Sequence, residues 1–203
     1  MPTPTTSPQP QPKRQPPAAV STELVKETDR PWRFTGRALA TTGLSVWREP
    51  LLGARAGLAV DSPELGALGA VFTLDVDYQQ TVGVEIQTVP VVMRFAKGVA
   101  QLCPLRVRAV TRLDLGACLV TEAGVLLGEG LVRNETILRP WGGIGHGISA
   151  RYWPTHLLGF VLELQQIVVL NRPPVIQLGT DREVLESRWT TYSLAIGVTG
   201  LDL

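Results

Sequence analysis

Apolar and polar side chains alternate with a period of two along much of the chain from about residue 32 onward. In "VFTLDVDY", Phe72, Leu74, Val76 and Tyr78 fall on one face and Thr73, Asp75 and Asp77 on the other. In "TVGVEIQ", Val82, Val84 and Ile86 alternate with Gly83, Glu85 and Gln87. In "PLRVRAVTRLDL", Leu105, Val107 and Ala109 oppose Arg106, Arg108 and Val110, and Arg112 and Asp114 continue the polar side. In "TYSLAIGV", Tyr192, Leu194, Ile196 and Val198 oppose Ser193, Ala195 and Gly197. Successive side chains of a strand point to opposite faces, so this pattern predicts antiparallel strands that bury one face. Turn signals fall at "DSPELG" (61–66), "EAG" (122–124), "NRPP" (171–174) and "GTD" (179–181). One short helix is expected over 181–189, "DREVLESRW", with Asp181 as its cap.

Many short strands with Gly and Pro turns predict an all-β fold. The expected form is an antiparallel β-sandwich or jelly roll of roughly eight strands in two packed sheets. An up-and-down barrel is set aside because the connections are uneven in length. The division is a flexible Pro/Gln/Thr-rich arm, 1–29, followed by one β-sandwich domain, 30–203. The arm begins "MPTPTTSPQPQPKRQPPAA" and offers almost no apolar groups to offset the entropy of ordering it.

Composition narrows the function classes. The 19 basic and 18 acidic residues nearly cancel, which leaves no electrostatic footprint for nucleic acid or an anionic membrane. Lys13-Arg14 alone is too little charge for a genome-neutralising arm. No secretory signal is legible at the N-terminus. The most apolar run, "HLLGFVLELQQIVVL", is broken by Glu163, Gln165 and Gln166 and is too short for a membrane helix. A protein soluble when made is therefore expected, with peripheral lipid contact left open. The two cysteines, Cys103 and Cys118, are favoured as buried thiols, with pairing across a hairpin as the alternative.

Candidate chemistry is thin. Gly143, Gly145 and Gly147 in "GGIGHG" resemble a phosphate-cradling loop, but no helix and no Lys follow, so a wide turn is the preferred reading. Ser149 in "GISAR" has Arg151 where a nucleophile elbow needs Gly. His146 and His156 are too few for a histidine metal site and are read as neither catalytic nor metal-binding. Asp75, Asp77 and Glu85, with Gln79-Gln80 as a turn, would cluster across a hairpin and pair with Arg106, Arg108 or Arg112 in preference to a cation. "NET" at 134–136 is a glycosylation sequon in form only. No catalytic residue, cofactor or metal is expected, and the chain is read as a non-enzyme.

The tryptophans suggest contact surfaces instead. Trp141, Trp153, Trp32 and Trp47 are the interface candidates, since large aromatics dominate cores and interfaces. "RPWRFTGRALATTGLSVWREPLLG" (30–53) and "RPWGGIGHGISARYWPTHLLG" (139–159) share spaced Arg-Pro-Trp, Trp and Leu-Leu-Gly, which would suit equivalent corners of a pseudo-symmetric sandwich. Strand alternation runs almost to the end in "SLAIGVTGLDL". An arm, a β domain and a paired C-terminal strand together resemble the layout of small jelly-roll virion proteins of icosahedral bacteriophages, over about residues 30–203. That resemblance implies a capsid or capsid-associated subunit in the virion, whose partners are further copies or other virion proteins; outside a virus it would be cytoplasmic. It carries over no functional residues. The alternative is a β-sandwich module binding carbohydrate or protein through loop aromatics.

Overall fold

A computed structural model describes residues 32–63, 68–82, 85–86, 89–90, 92–129, 137–171 and 188–202. The expected helix over 181–189 falls mostly outside them, as do the sequon and the arm. The strands are β1 (Arg33–Leu44), β2 (Pro50–Asp61), β3 (Leu68–Thr81), β4 (Glu85–Ile86), β5 (Val89–Pro90), β6 (Val92–Val110), β7 (Leu113–Glu129), β8 (Ile137–Tyr152), β9 (Leu158–Val169) and β10 (Thr190–Asp202). Eight of them close one antiparallel barrel in the order β1-β10-β9-β8-β7-β6-β3-β2, while β4 and β5 form a small hairpin between β3 and β6.

This corrects the expectation of a jelly roll. Each long strand pairs with its sequence neighbours, and β1 meets β10 to close the sheet. Uneven connections did not prevent an up-and-down barrel, because connection length affects closure entropy only slowly. Closure leaves no free sheet edge, so the C-terminal strand keeps its alternation by pairing with β1 of its own chain.

The register fixes the barrel's shape. From Leu39, partners lead through Gly197 and Val161 to Arg151 on β8. The other way round they lead through Arg55, Asp77, Lys97 and Gly124 to Trp141 on the same strand. The two arrivals are ten residues apart (151 − 141), a shear of ten. Ten rises of ~3.3 Å against eight spacings of ~4.8 Å give a strand tilt of roughly 40°.

Local chemistry explains the irregularities. The β6–β7 ladder slips between Leu102 and Leu105, where Pro104 has no N–H to donate. The β1–β2 connection turns at Arg48, whose φ is 64°, and Ser45 Oγ accepts from the amides of Trp47 (3.2 Å) and Glu49 (3.1 Å). "GGIGHG" is no turn: it lies inside β8, paired with β7 and β9. Its odd-numbered glycines face inward, and a Cβ on Gly145 would collide with the carbonyl oxygen of Gln166. Glycine there lets β8 and β9 approach closely. "EAG" and Gln79-Gln80 also lie within strands, β7 and β3. The two Trp-containing echoes are not equivalent corners, since Trp32 is exposed before β1 whereas Trp141 is buried within β8.

Candidate functional site

The two faces of the wall are inverted relative to a water-soluble domain. On β3, Phe72, Leu74, Val76 and Tyr78 point outward and are exposed, while Thr73, Asp75, Asp77 and Gln79 point inward and are buried. The same holds on β9, where Phe160, Leu162 and Leu164 face out and Glu163 and Gln165 face in. Within "HLLGFVLELQQIVVL", β9 is thus one alternating strand with Glu163 and Gln165 inside, while Gln166 takes an outward position and His156 lies exposed before the strand. Leu119, Ile148 and Ile196, each about 60% exposed, extend the apolar exterior around the barrel. On β3 the outward run from Leu68 to Tyr78 covers roughly 25 Å of axial height at ~3.3 Å per residue and the tilt above.

Aromatics mark both rims of this band. Phe34, Tyr152 and Phe160 ring the end that carries the starts of β1 and β9; Tyr78, Tyr192 and Trp189 ring the other. At the first rim Arg33 stacks 4.5 Å over the Trp153 ring and donates to the carbonyl of His156.

The lumen holds ion pairs. Arg37 Nε and Nη2 donate to Asp75 (2.7 and 2.8 Å), and its Nη1 and Nη2 donate to Glu163 (2.7 and 3.0 Å). Arg55 donates to Asp77 (2.9 Å) and to Gln165 (3.3 Å), and Gln165 donates to Gln101 (2.8 Å). Lys97 reaches Glu122 (2.7 Å), which also accepts from Trp141 Nε1 (2.6 Å). Nearer the Arg33 end, Arg106 (2.6 Å) and Arg151 (3.1 Å) share Asp61 Oδ1. These buried cations therefore face carboxylates across the interior, as buried charges require. Above them Val46, Trp47, Leu51, Met93, Phe95, Leu126, Trp141 and Val169 form an apolar plug at the other end.

Small cavities interrupt this packing, one beneath the plug beside Lys97 and Glu122, another beside Arg106, Ser149 and Arg151. Each measures about 10 Å³, room for one water molecule. Neither cavity is large enough for a solute bigger than water.

The expected carboxylate cluster is half right in placement. Asp75 and Asp77 do share a face, but it is the inside of a barrel and their partners are Arg37 and Arg55. Arg106 pairs with Asp61 and Arg108 with Asp114, while Arg112 is exposed. Glu85 lies in β4 opposite Pro90, and its side chain is outside the described residues. Cys103 and Cys118 form a disulfide between β6 and β7, against the favoured reading as thiols. Of the interface candidates, Trp47 and Trp141 are buried in the plug, Trp153 is half-buried under Arg33, and Trp32 is exposed. Ser149 is buried inside, and both histidines are exposed. Missed altogether were Arg37, Arg55, Lys97, Glu122 and Glu163, whose signal was a charge at an inward position of an alternating run.

No protein-family model matches the chain. No curated protein matches it either. Solved structures do. A major outer membrane protein of Thermus thermophilus superposes with a TM-score of 0.63 at 11% identity, over 84% of this chain and 99% of that one. Neisserial surface protein A gives 0.49 at 8% identity, over 84% and 97%. Ail, the attachment invasion locus protein of Yersinia pestis, gives 0.49 at 11% identity, over 83% and 96%. The fold is that of a closed β-barrel seen in an outer membrane protein. The resemblance to phage virion proteins is thereby overturned, and with it the capsid role and the virion or cytoplasmic location. The sugar- or protein-binding sandwich also loses its basis, since there is no sandwich and two of the five tryptophans, Trp47 and Trp141, are inside.

Proposed function

We propose that this chain is a membrane-embedded β-barrel of the outer-membrane type, with a closed lumen and no catalytic role. One observation carries the reading: a band of exposed apolar side chains with aromatic rims surrounds a barrel whose charges are inside. In water that arrangement would leave the apolar face unburied, whereas in a bilayer it is the favoured one. A closed barrel also satisfies every strand's backbone groups, which hydrocarbon demands. The height of roughly 25 Å matches the apolar band of such barrels. The Cys103–Cys118 disulfide suits a compartment outside the reducing cytosol. The start of β1 and the end of β10 lie on the side with the two-residue turn Thr111–Arg112, the side that faces the periplasm in such barrels. The longer connections then face outward.

Refolding from urea tests this. The chain should gain strand circular dichroism and run faster unheated than heated on a gel only when detergent or lipid vesicles are present. A protease-resistant monomer in detergent-free buffer would overturn the reading. In planar bilayers the barrel should give no stepwise conductance; regular steps would refute the closed lumen.

A further inference from the structure

Cys103 and Cys118 bond across β6 and β7 on the lumen side of the sheet, 2% and 4% exposed and packed with Val71 of β3. Gln101 Nε2 donates to Cys103 Sγ at 3.3 Å. The closed sheet walls the pair off laterally. On the same two strands Arg106 and Asp114 stand nearer the Thr111–Arg112 turn than the cysteines do, and both are buried. With Asp61, Arg108 and Arg151 they form a layer of ion pairs between the disulfide and that end of the barrel. Toward the other end lie Gln101, the Lys97–Glu122 pair and the apolar plug. The cavity beside Cys103 has room for one water molecule. Thiol–disulfide exchange needs a thiolate to approach a sulfur directly, so its rate follows access. A space the size of one water admits no such reagent.

Pairing of β6 with β7 is by itself enough to set the two cysteines face to face. Leu102 opposes Leu119 and Leu105 opposes Ala117 on either side of them, and the hairpin turns in two residues. What covers the sulfurs comes from elsewhere in the chain: Val71 from β3, Asp61 from β2, Ser149 and Arg151 from β8. We propose that the β6–β7 hairpin is the substrate of a thiol oxidant before the barrel closes, and that closure then seals the bond against exchange in both directions. The oxidant is a reactive disulfide. One cysteine thiolate attacks it, which forms a mixed disulfide and releases one oxidant thiolate. The second cysteine thiolate attacks the first cysteine's sulfur and expels the other. Two electrons pass to the oxidant, the two thiol protons go to solvent or to the released thiolates, and the chain keeps the Cys103–Cys118 bond. The membrane-embedded reading enters only in where this happens, between the cytosol and the bilayer.

Order of addition tests this. The reduced full chain is given glutathione disulfide either before or after refolding from urea into detergent micelles, and its thiols are then counted by maleimide mass tags under denaturing conditions. Added before, the reagent should produce the intramolecular bond. Added after, it should oxidise the pair at least about a hundredfold more slowly, because exchange then waits for the barrel to open. The oxidised barrel should resist dithiothreitol to the same degree and lose the bond promptly in urea. His156→Cys, exposed at the same end of the barrel, is the control: in folded protein it should form a mixed disulfide with glutathione that dithiothreitol removes. Oxidation or reduction of the buried pair at the control's rate would overturn the proposal, as would failure of the open chain to form the bond. If the reduced chain does not fold, resistance of the oxidised barrel to dithiothreitol decides alone. A chain that never gains the fast gel mobility in detergent counts against the membrane reading instead.

Discussion

Arg37 and Glu163 meet inside the barrel, Nη1 to Oε1 at 2.7 Å, although β1 and β9 are not neighbours in the sheet. Both side chains are fully buried, and Arg37 also holds Asp75 on the other flank. One guanidinium thus spans β9, β1 and β3, and its planar fork suits two carboxylates at once. Removing a partner strands a buried charge. Glu163→Ala should therefore destabilise the barrel by roughly 3–5 kcal/mol. Glu163→Gln keeps shape and an acceptor, so it should cost less. Unfolding by urea in detergent micelles, followed by gel mobility, measures both.

The exterior makes an opposite demand. Leu164 is 50% exposed, and on a water-facing wall Leu164→Arg would shift stability by no more than about 0.5 kcal/mol. At mid-band in lipid the same change should cost about 2–4 kcal/mol. Reversible unfolding in vesicles separates these outcomes.

Gly145→Val should disrupt the β8–β9 approach, because its side chain would meet the Gln166 backbone rather than a movable side chain. A cost of about 1–3 kcal/mol or more is expected from overpacking. Ile144→Val, on the outward face next door, should cost under about 1.5 kcal/mol. The two melting curves, run side by side, check the assignment of "GGIGHG" to a strand.

Changing both Cys103 and Cys118 to Ser should leave the fold in place and lower stability by up to about 3 kcal/mol, the chain-entropy value for a loop of this separation. Because β6 and β7 already pair as a hairpin, the measured loss should fall below that ceiling. Denaturant midpoints of the oxidised wild type and the double variant give the number.

The ladders of β1 begin at Arg33 against β2 and at Thr35 against β10, which closes the barrel. Deleting residues 1–29 should then leave the midpoint within about 2 °C, since surface changes under roughly 0.5 kcal/mol move a domain of this size no further. A larger fall would mean that the arm packs on the barrel.

The sequence by itself determined the strands and the division of each into two unlike faces. Alternation along "VFTLDVDY" and "TYSLAIGV" was legible because side chains of a strand point alternately to its two sides, whatever surrounds it. It also put Asp75 and Asp77 on one face. What alternation cannot encode is which face meets the protein interior, because the pattern reads identically when inverted. Only the tertiary structure decided that Phe72 and Leu74 face out and Asp75 and Asp77 face in. Arg55 stands opposite Asp77 in the β2–β3 ladder and Arg37 reaches Asp75 across β2, so these pairs follow from the local meander once its register is known. Glu163 joins Arg37 and Arg55 only when β1 closes on β10, a long-range event with no local signal. The glycines of "GGIGHG" misled for the same reason: the residue that permits a turn also permits two strands to touch, and only the packing of β8 on β9 distinguishes the two.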